Sequence, residues 1–153
     1  MRISMKNTAL LIDTNIILDW ILERRPFAEP AKKVIELCIT GKTHGYLAAH
    51  TILNLFFILR KEKSVEERKE ILLMLCDCFN IINIEKEMII FTLENEDWMD
   101  LEDGLQMHCA THENLDYIIT RNIKDFTNSQ VKALLPENYL IILEKDECTD
   151  GER

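Results

Sequence analysis

Asp13, Asn54, Asp103 and Asp125 are the side chains in this sequence best placed to do chemistry together. Asp13 closes the apolar run in LLIDTN (Leu10–Asn15), so a carboxylate stands where a buried strand would end. Carboxylates gathered at one point repel one another and raise one another's pKa. A hard divalent cation removes that repulsion, and magnesium and manganese prefer carboxylate, amide oxygen and water. Such an ion polarises a phosphoryl oxygen, lowers the pKa of a bound water and orients an in-line attack. The chemistry favoured is phosphodiester hydrolysis. Taken singly, each acid also has an ordinary structural use. Asp13 could cap a helix starting at Thr14. Asp100 and Asp103 at the front of a helix suit its dipole. Asp125 could cap or solvate a turn.

What would join them is the fold. Five short apolar runs read as buried strands: Ala9–Ile12, Gly45–Ala48, Phe79–Ile84, Tyr117–Thr120 and Tyr139–Leu143. Segments of helical period separate them. Phe27–Thr40 carries Val34, Ile35, Leu37 and Cys38 on one side and stops at Gly41. Thr51–Lys61 is apolar almost all round, which predicts deep burial. Ser64 and Glu67 form an S-x-x-E capping box for a helix over Val65–Cys76. Lys86–Leu93 and Leu101–Glu113 read as helices, and Asn128 could cap a last one through Leu134, closed by Pro136. Alternation of strands and helices predicts an α/β fold: a three-layer α/β/α sandwich around a central parallel sheet of about five strands. Right-handed crossovers put each following helix start at the carboxyl edge of the sheet, where ligands bind. Asp13, Asn54, Asp103, the Thr120-Arg121-Asn122 turn and Asp125 would meet there.

The 153 residues suit one domain, expected over 1–143, with a polar tail at 144–153 that should fray. No apolar run approaches the ~20 residues of a membrane span, and the N-terminus lacks a signal-peptide core. A soluble, cytoplasmic protein without membrane contact is expected. The five cysteines include no C-x-x-C pair and read as reduced core thiols. A net charge of −9 argues against a general nucleic-acid coating protein, though not against a local basic patch or a metal site.

Three stretches carry a resemblance: LLIDTNIILDWILERRPF (Leu10–Phe27), DLEDGLQMHCA (Asp100–Ala110) and LDYIITRNIKDF (Leu115–Phe126). In this order and spacing the chain resembles the PIN domain, the family that includes the toxin ribonucleases of bacterial toxin–antitoxin pairs. The resemblance covers about Ala9–Leu143. It implies a magnesium- or manganese-dependent ribonuclease centre at the carboxyl edge, RNA as substrate, and an antitoxin protein as partner. It also allows a homodimer. By position, Asp13 matches the first acid and Asp103 the acid opening the later helix. The last acidic position falls in TRNIKDF, where the family often has Asp at the place of Asn122, and Asp125 stands in for it or adds a ligand. The second acid, Glu in many members, is Asn54 here, which brings an oxygen but no charge. The roles implied are metal binding by Asp13, Asp103 and Asp125, and holding of waters or the scissile phosphate by Asn54 and Asn122. Thr14 and Asn15 would orient Asp13, and Arg121 and Lys124 would clamp substrate phosphates. The missing acids motivate an alternative: a catalytically weakened PIN-like module that binds RNA or a protein without cleaving.

Other residues carry weaker signals. His108 and His112 are spaced i, i+4, which suits zinc, but no glutamate base lies between them. His44 and His50 read as structural or exposed, and Trp20 and Trp98 as packing residues. Phe56 and Phe57 read as core and dimer contacts. Arg60, Lys61 and Lys63 read as a solvated helix end. No glycine-rich phosphate loop and no serine nucleophile elbow is present, which makes a phosphatase or nucleotide-sugar enzyme on a similar sheet a distant third class.

Overall fold

The computed structural model describes residues 7–97 and 100–151. Strands β1 (Ala9–Ile12), β2 (His44–Ala48), β3 (Asn80–Ile82), β4 (Tyr117–Ile119) and β5 (Lys132–Leu134) form one sheet in the order β3-β2-β1-β4-β5. Every pairing is parallel, with Leu11 opposite Tyr46 on one side and Ile118 on the other. The helices are α1 (Thr14–Ile21), α2 (Ala28–Ile39), α3 (Ala49–Ile58), α4 (Val65–Cys78), α5 (Lys86–Glu94), α6 (Leu101–His112) and α7 (Pro136–Gly151). Short 3-10 turns follow α3 (Leu59–Lys61) and β4 (Ile123–Phe126).

The sheet divides two apolar layers because successive strand side chains face opposite sides. Leu10 and Ile12 pack with Ile16, Ile17, Val34, Ile35, Leu55, Leu75 and Tyr139, on the side of α1–α4 and α7. Leu11 packs with Met88, Leu105, Met107 and Cys109, on the side of α5 and α6. Leu10, Leu11 and Ile12 are all fully buried, which stabilises the fold by ~2 kcal/mol each. The α/β/α sandwich expected from the sequence is therefore the observed architecture. Gly45 in β2 has a steric reason: a Cβ there would stand 2.6 Å from the Phe79 ring and 2.9 Å from the Cys38 Cβ. The Ser64 capping box also forms, with Ser64 Oγ accepting from the Glu67 N–H at 3.1 Å.

Several expectations need correction. The last helix and last strand are exchanged. Lys132–Leu134, expected as helix, pairs with β4, and Tyr139–Leu143, expected as strand, lies inside α7. The run YLIIL is short enough to suit either period. Tertiary packing selects the helix: Tyr139 and Leu143, one turn apart, are buried, while Ile141 between them is half exposed. Pro136 opens this helix rather than closing one, since a first helical residue needs no N–H partner. The helix also continues through residues 144–151, where fraying was expected. Helix α1 received no place in the sequence reading except as something Asp13 could cap. Helix α3 is not deeply buried: only Thr51 and Leu55 are fully covered, and Leu53 and Phe57 are 73% and 62% exposed. Phe56 is likewise exposed rather than core.

Among the described residues all five cysteines are free, with Cys38 and Cys109 buried but Cys76 and Cys148 exposed, so not all are core thiols. Among them, too, no helix is long and apolar enough to cross a membrane. Trp98 lies outside the described residues.

Candidate active site

Strand order places the crevice between β1 and β4, where the connections diverge to opposite sides of the sheet. Asp13 follows β1 at this point and is almost wholly buried. Although it occupies the N-cap position of α1, its side chain makes no cap hydrogen bond. Its carboxylate instead accepts from Gln106 Nε2 of α6 at 3.0 Å and from the Thr120 hydroxyl after β4 at 2.9 Å. The Thr120 hydroxyl in turn accepts the Asn122 N–H at 3.0 Å. Burial raises the Asp13 pKa, the two hydrogen bonds oppose the rise, and the Glu102 charge adds to it.

Helix α6 brings the second group of acids. Asp100 caps it, accepting the Asp103 N–H at 3.0 Å, so the structural role weighed for Asp100 is realised. Asp103 itself is half-buried, and its carboxyl is pushed up to about 7. Burial is the main cause, followed by the charges of Asp100, Asp13, Asp125 and Glu102. Asp103 and Asp125 line one small cavity of about 160 Å³ together with Asp97, Asp100 and Lys124. No ion pair reaches Asp13, Asp100, Glu102, Asp103 or Asp125 among the described residues. Negative charge is thus gathered at the carboxyl edge without a fixed protein counter-charge.

Of the other expected residues, Thr14 gives its hydroxyl to Glu102 Oε1 at 3.1 Å, 3.2 Å from the Thr51 hydroxyl, while its backbone N–H serves the Asp13 carboxylate. Asn15, Asn54 and Asn122 make no side-chain hydrogen bonds within the described residues. Lys124 lines the acidic cavity. Arg121 departs from expectation. Its Nε and Nη2 donate to the two oxygens of Asp19 on α1, at 2.6 and 3.1 Å, and its guanidinium lies 4.0 Å over the Phe27 ring. With the Nε–Nη2 edge taken by a fully buried carboxylate, Arg121 ties the turn after β4 to α1 instead of standing free for phosphate.

The sequence reading missed Asp19 and Gln106, gave His50 only a structural or exposed role, and took Glu102 only as a nearby acid that compensates in part for the missing ones. Asp19 had a signal, a lone acid in the apolar stretch IILDWIL (Ile16–Leu22). Gln106 and His50 had none, since amides and imidazoles are common on any helix face. His50 lies against Glu102, with both ring nitrogens buried and without a hydrogen bond of good geometry. Burial lowers its pKa, against the pull of Glu102, Asp13 and Asp100.

The donor set, carboxylates and amide oxygens, matches a hard divalent ion in kind. The mutual repulsion that lifts Asp103 is the feature such an ion would relieve. The side chains do not close a cage by themselves: among the described residues no three His, Cys, Asp or Glu side chains are grouped to hold an ion. Magnesium retains several waters, so protein ligands need not fill its shell.

The Asp103 shift has a measurable consequence. The folded carboxyl titrates near 7 and the unfolded one at 3.8, so the folded chain holds a proton that the unfolded chain releases in between. The resulting stability is fully present below the unfolded value and is lost as pH rises through about 7. Discounted for solvent screening, the loss between pH 5 and 8 in chelator should lower the parent's Tm by roughly 3–6 °C relative to Asp103→Asn. Scanning calorimetry on both proteins checks this, and parallel profiles would contradict the crowding of charge at Asp103.

With this geometry established, similarity to known proteins is informative. A family model described as "PIN domain" matches residues 9–124. Ribonuclease VapC1 of Aquifex aeolicus is 25% identical over 139 residues, covering 88% of this chain and 95% of that protein. A toxin–antitoxin complex from Klebsiella pneumoniae contains a chain 25% identical to this one, with a TM-score of 0.63 over 83% of this chain and 97% of that one. VapBC2 from Rickettsia felis, bound to a DNA fragment from its promoter, shares the fold at 18% identity and a TM-score of 0.63, over 84% and 98% of the two chains. The family match spans four of the five strands and includes Asp13, Asp100, Glu102 and Asp103: the chain belongs to the PIN domain family.

Proposed function

We propose that this protein is a divalent-metal-dependent endoribonuclease acting in the cytoplasm, the toxin half of a toxin–antitoxin pair. One observation carries the reading. Acids from the ends of β1 and β4 and from α6 crowd one edge of the sheet, where burial first and then four neighbouring carboxylates raise Asp103. The relation to Ribonuclease VapC1 supports RNA as the substrate, and the Klebsiella pneumoniae complex supports an antitoxin partner.

In this reading Asp13 and Asp103 hold magnesium or manganese, directly or through water, and Asp125 supports them. The ion, when bound, supplies an activated water and charge stabilisation at the phosphoryl oxygen. The protein's own part is positioning. Gln106 and Thr120 keep Asp13 in one orientation. Asn54 and Asn122 offer free amides for water or the scissile phosphate. Lys124 is the cation at the acidic cavity available to a substrate phosphate. The exposed Leu53 and Phe57 on α3 offer an apolar face for a second copy of the chain.

Asn54 favours a second reading, a module that binds RNA or protein without cutting, because it brings no charge and makes no bond of its own. Calorimetric titration with manganese separates the two. Stoichiometric binding that disappears in Asp103→Ala supports the enzyme, and no binding at millimolar ion supports the module.

A further inference from the structure

A second cavity, of about 420 Å³, lies between α5, α6 and the segment 128–130. It shares Asp97, Met107 and Asn128 with the small acidic cavity, so the two form one continuous depression. Its character differs from its neighbour's. Asp97 is its sole carboxylate among the described residues, and Lys and Arg are absent from its lining. Phe91 is 53% exposed, a costly position for a phenyl ring beside a cleft. It meets His108 edge-on at 5.2 Å, and His112 lies nearly parallel to His108, 18° apart in plane, at 6.3 Å. Gln130 and Ser129 also line it, and the Ser129 hydroxyl is buried without a hydrogen-bond partner. No third metal ligand joins the two histidines among the described residues, which leaves their spacing unexplained by zinc.

We propose that this cavity seats one unpaired base of the RNA strand, next to the phosphate bound at the acidic cavity. The proposal rests on the ribonuclease reading for the identity of the strand. A base needs a ring to stack on and an amide for its edge, which Phe91, His108 and Gln130 supply. The protein's net charge of −9 gives no bulk attraction to the phosphate backbone, so neutral contacts of this kind add affinity that charge does not supply. Burial, aided by the neighbouring His112, lowers the His108 pKa, which favours the neutral ring for stacking.

The test measures binding, so that it does not depend on cleavage. Fluorescein-labelled single-stranded RNA oligonucleotides, each with one abasic position moved along the strand, are titrated into Asp13→Asn protein by anisotropy. One abasic position is expected to weaken binding by about tenfold. Adding Phe91→Ala, or independently His108→Gln, should abolish that difference while leaving the abasic oligonucleotide's affinity unchanged. If both double variants distinguish abasic from base-bearing RNA as the single variant does, the subsite is overturned. It is equally overturned if Phe91→Ala changes only the oligomeric state, because the exposed Ile90 and Leu93 on α5 would then mark a protein interface. Cleavage by the parent with manganese is measured alongside. Loss of base discrimination in a protein that cuts no RNA would sink the nuclease reading and leave the subsite standing.

Discussion

Asp13→Asn is expected to lower the rate of manganese-dependent RNA cleavage by about three orders of magnitude while leaving the fold as stable as before, or more so. The two halves of this result have one cause. Asp13 is buried, and burial opposes its charge, so the folded chain gains nothing from the negative charge itself. Asparagine keeps the shape and one carbonyl oxygen for Gln106 Nε2, and the Thr120 hydroxyl can turn to accept from the new amide. The charge is what a divalent ion requires, and transition-state stabilisation of several kcal/mol goes with the ion. Single-turnover cleavage and thermal melts of the same preparations check both halves. A variant that cuts RNA as fast as its parent would show that the acidic edge is not where the chemistry happens. A variant that simply unfolds would show that Asp13 is a structural acid.

The opposite pattern is expected at Asp19. This carboxylate is fully buried, accepts two hydrogen bonds from Arg121 and lies 3.8 Å from Arg24. Removing one partner of such a pair leaves the other charge uncompensated. Because the Arg121 side chain is a quarter exposed, water offsets part of the loss. Asp19→Ala should therefore cost about 2–4 kcal/mol, with Asp19→Asn losing less. Urea denaturation should show a lower midpoint at unchanged slope. The strut joins α1 to the turn carrying Thr120 and Asn122, so cleavage should also fall in protein that remains folded. An unchanged midpoint in Asp19→Ala would mean that Arg121 is free to serve substrate after all.

These two aspartates also show how far the sequence could be read. Both stand in the same 18-residue stretch, and the segment order marked Asp13 because it ends an apolar strand. Asp19 stood out only as a lone acid in an apolar stretch, and nothing local pointed to its partner, 102 positions away. Arg121 was read as a phosphate clamp for the same reason: a guanidinium beside an expected site looks free until its partner is seen. The exchange of the last strand and helix has a different origin. Lys132–Leu134 is only three residues long and carries a lysine, too little for a period to register. YLIIL satisfies both periods, and only the neighbouring β4 and α2 decide between them.

By itself the sequence determined the α/β alternation, the parallel sheet, and that Asp13 and Asp103 come to its carboxyl edge. Those follow from periodicity and chain order, which are local properties. Tertiary structure alone decided that Gln106 and Thr120 hold Asp13, that Arg121 belongs to Asp19, and that Asp103 titrates near 7. Each of these depends on burial and on distances between side chains remote in sequence, and electrostatic energy is set by those two quantities.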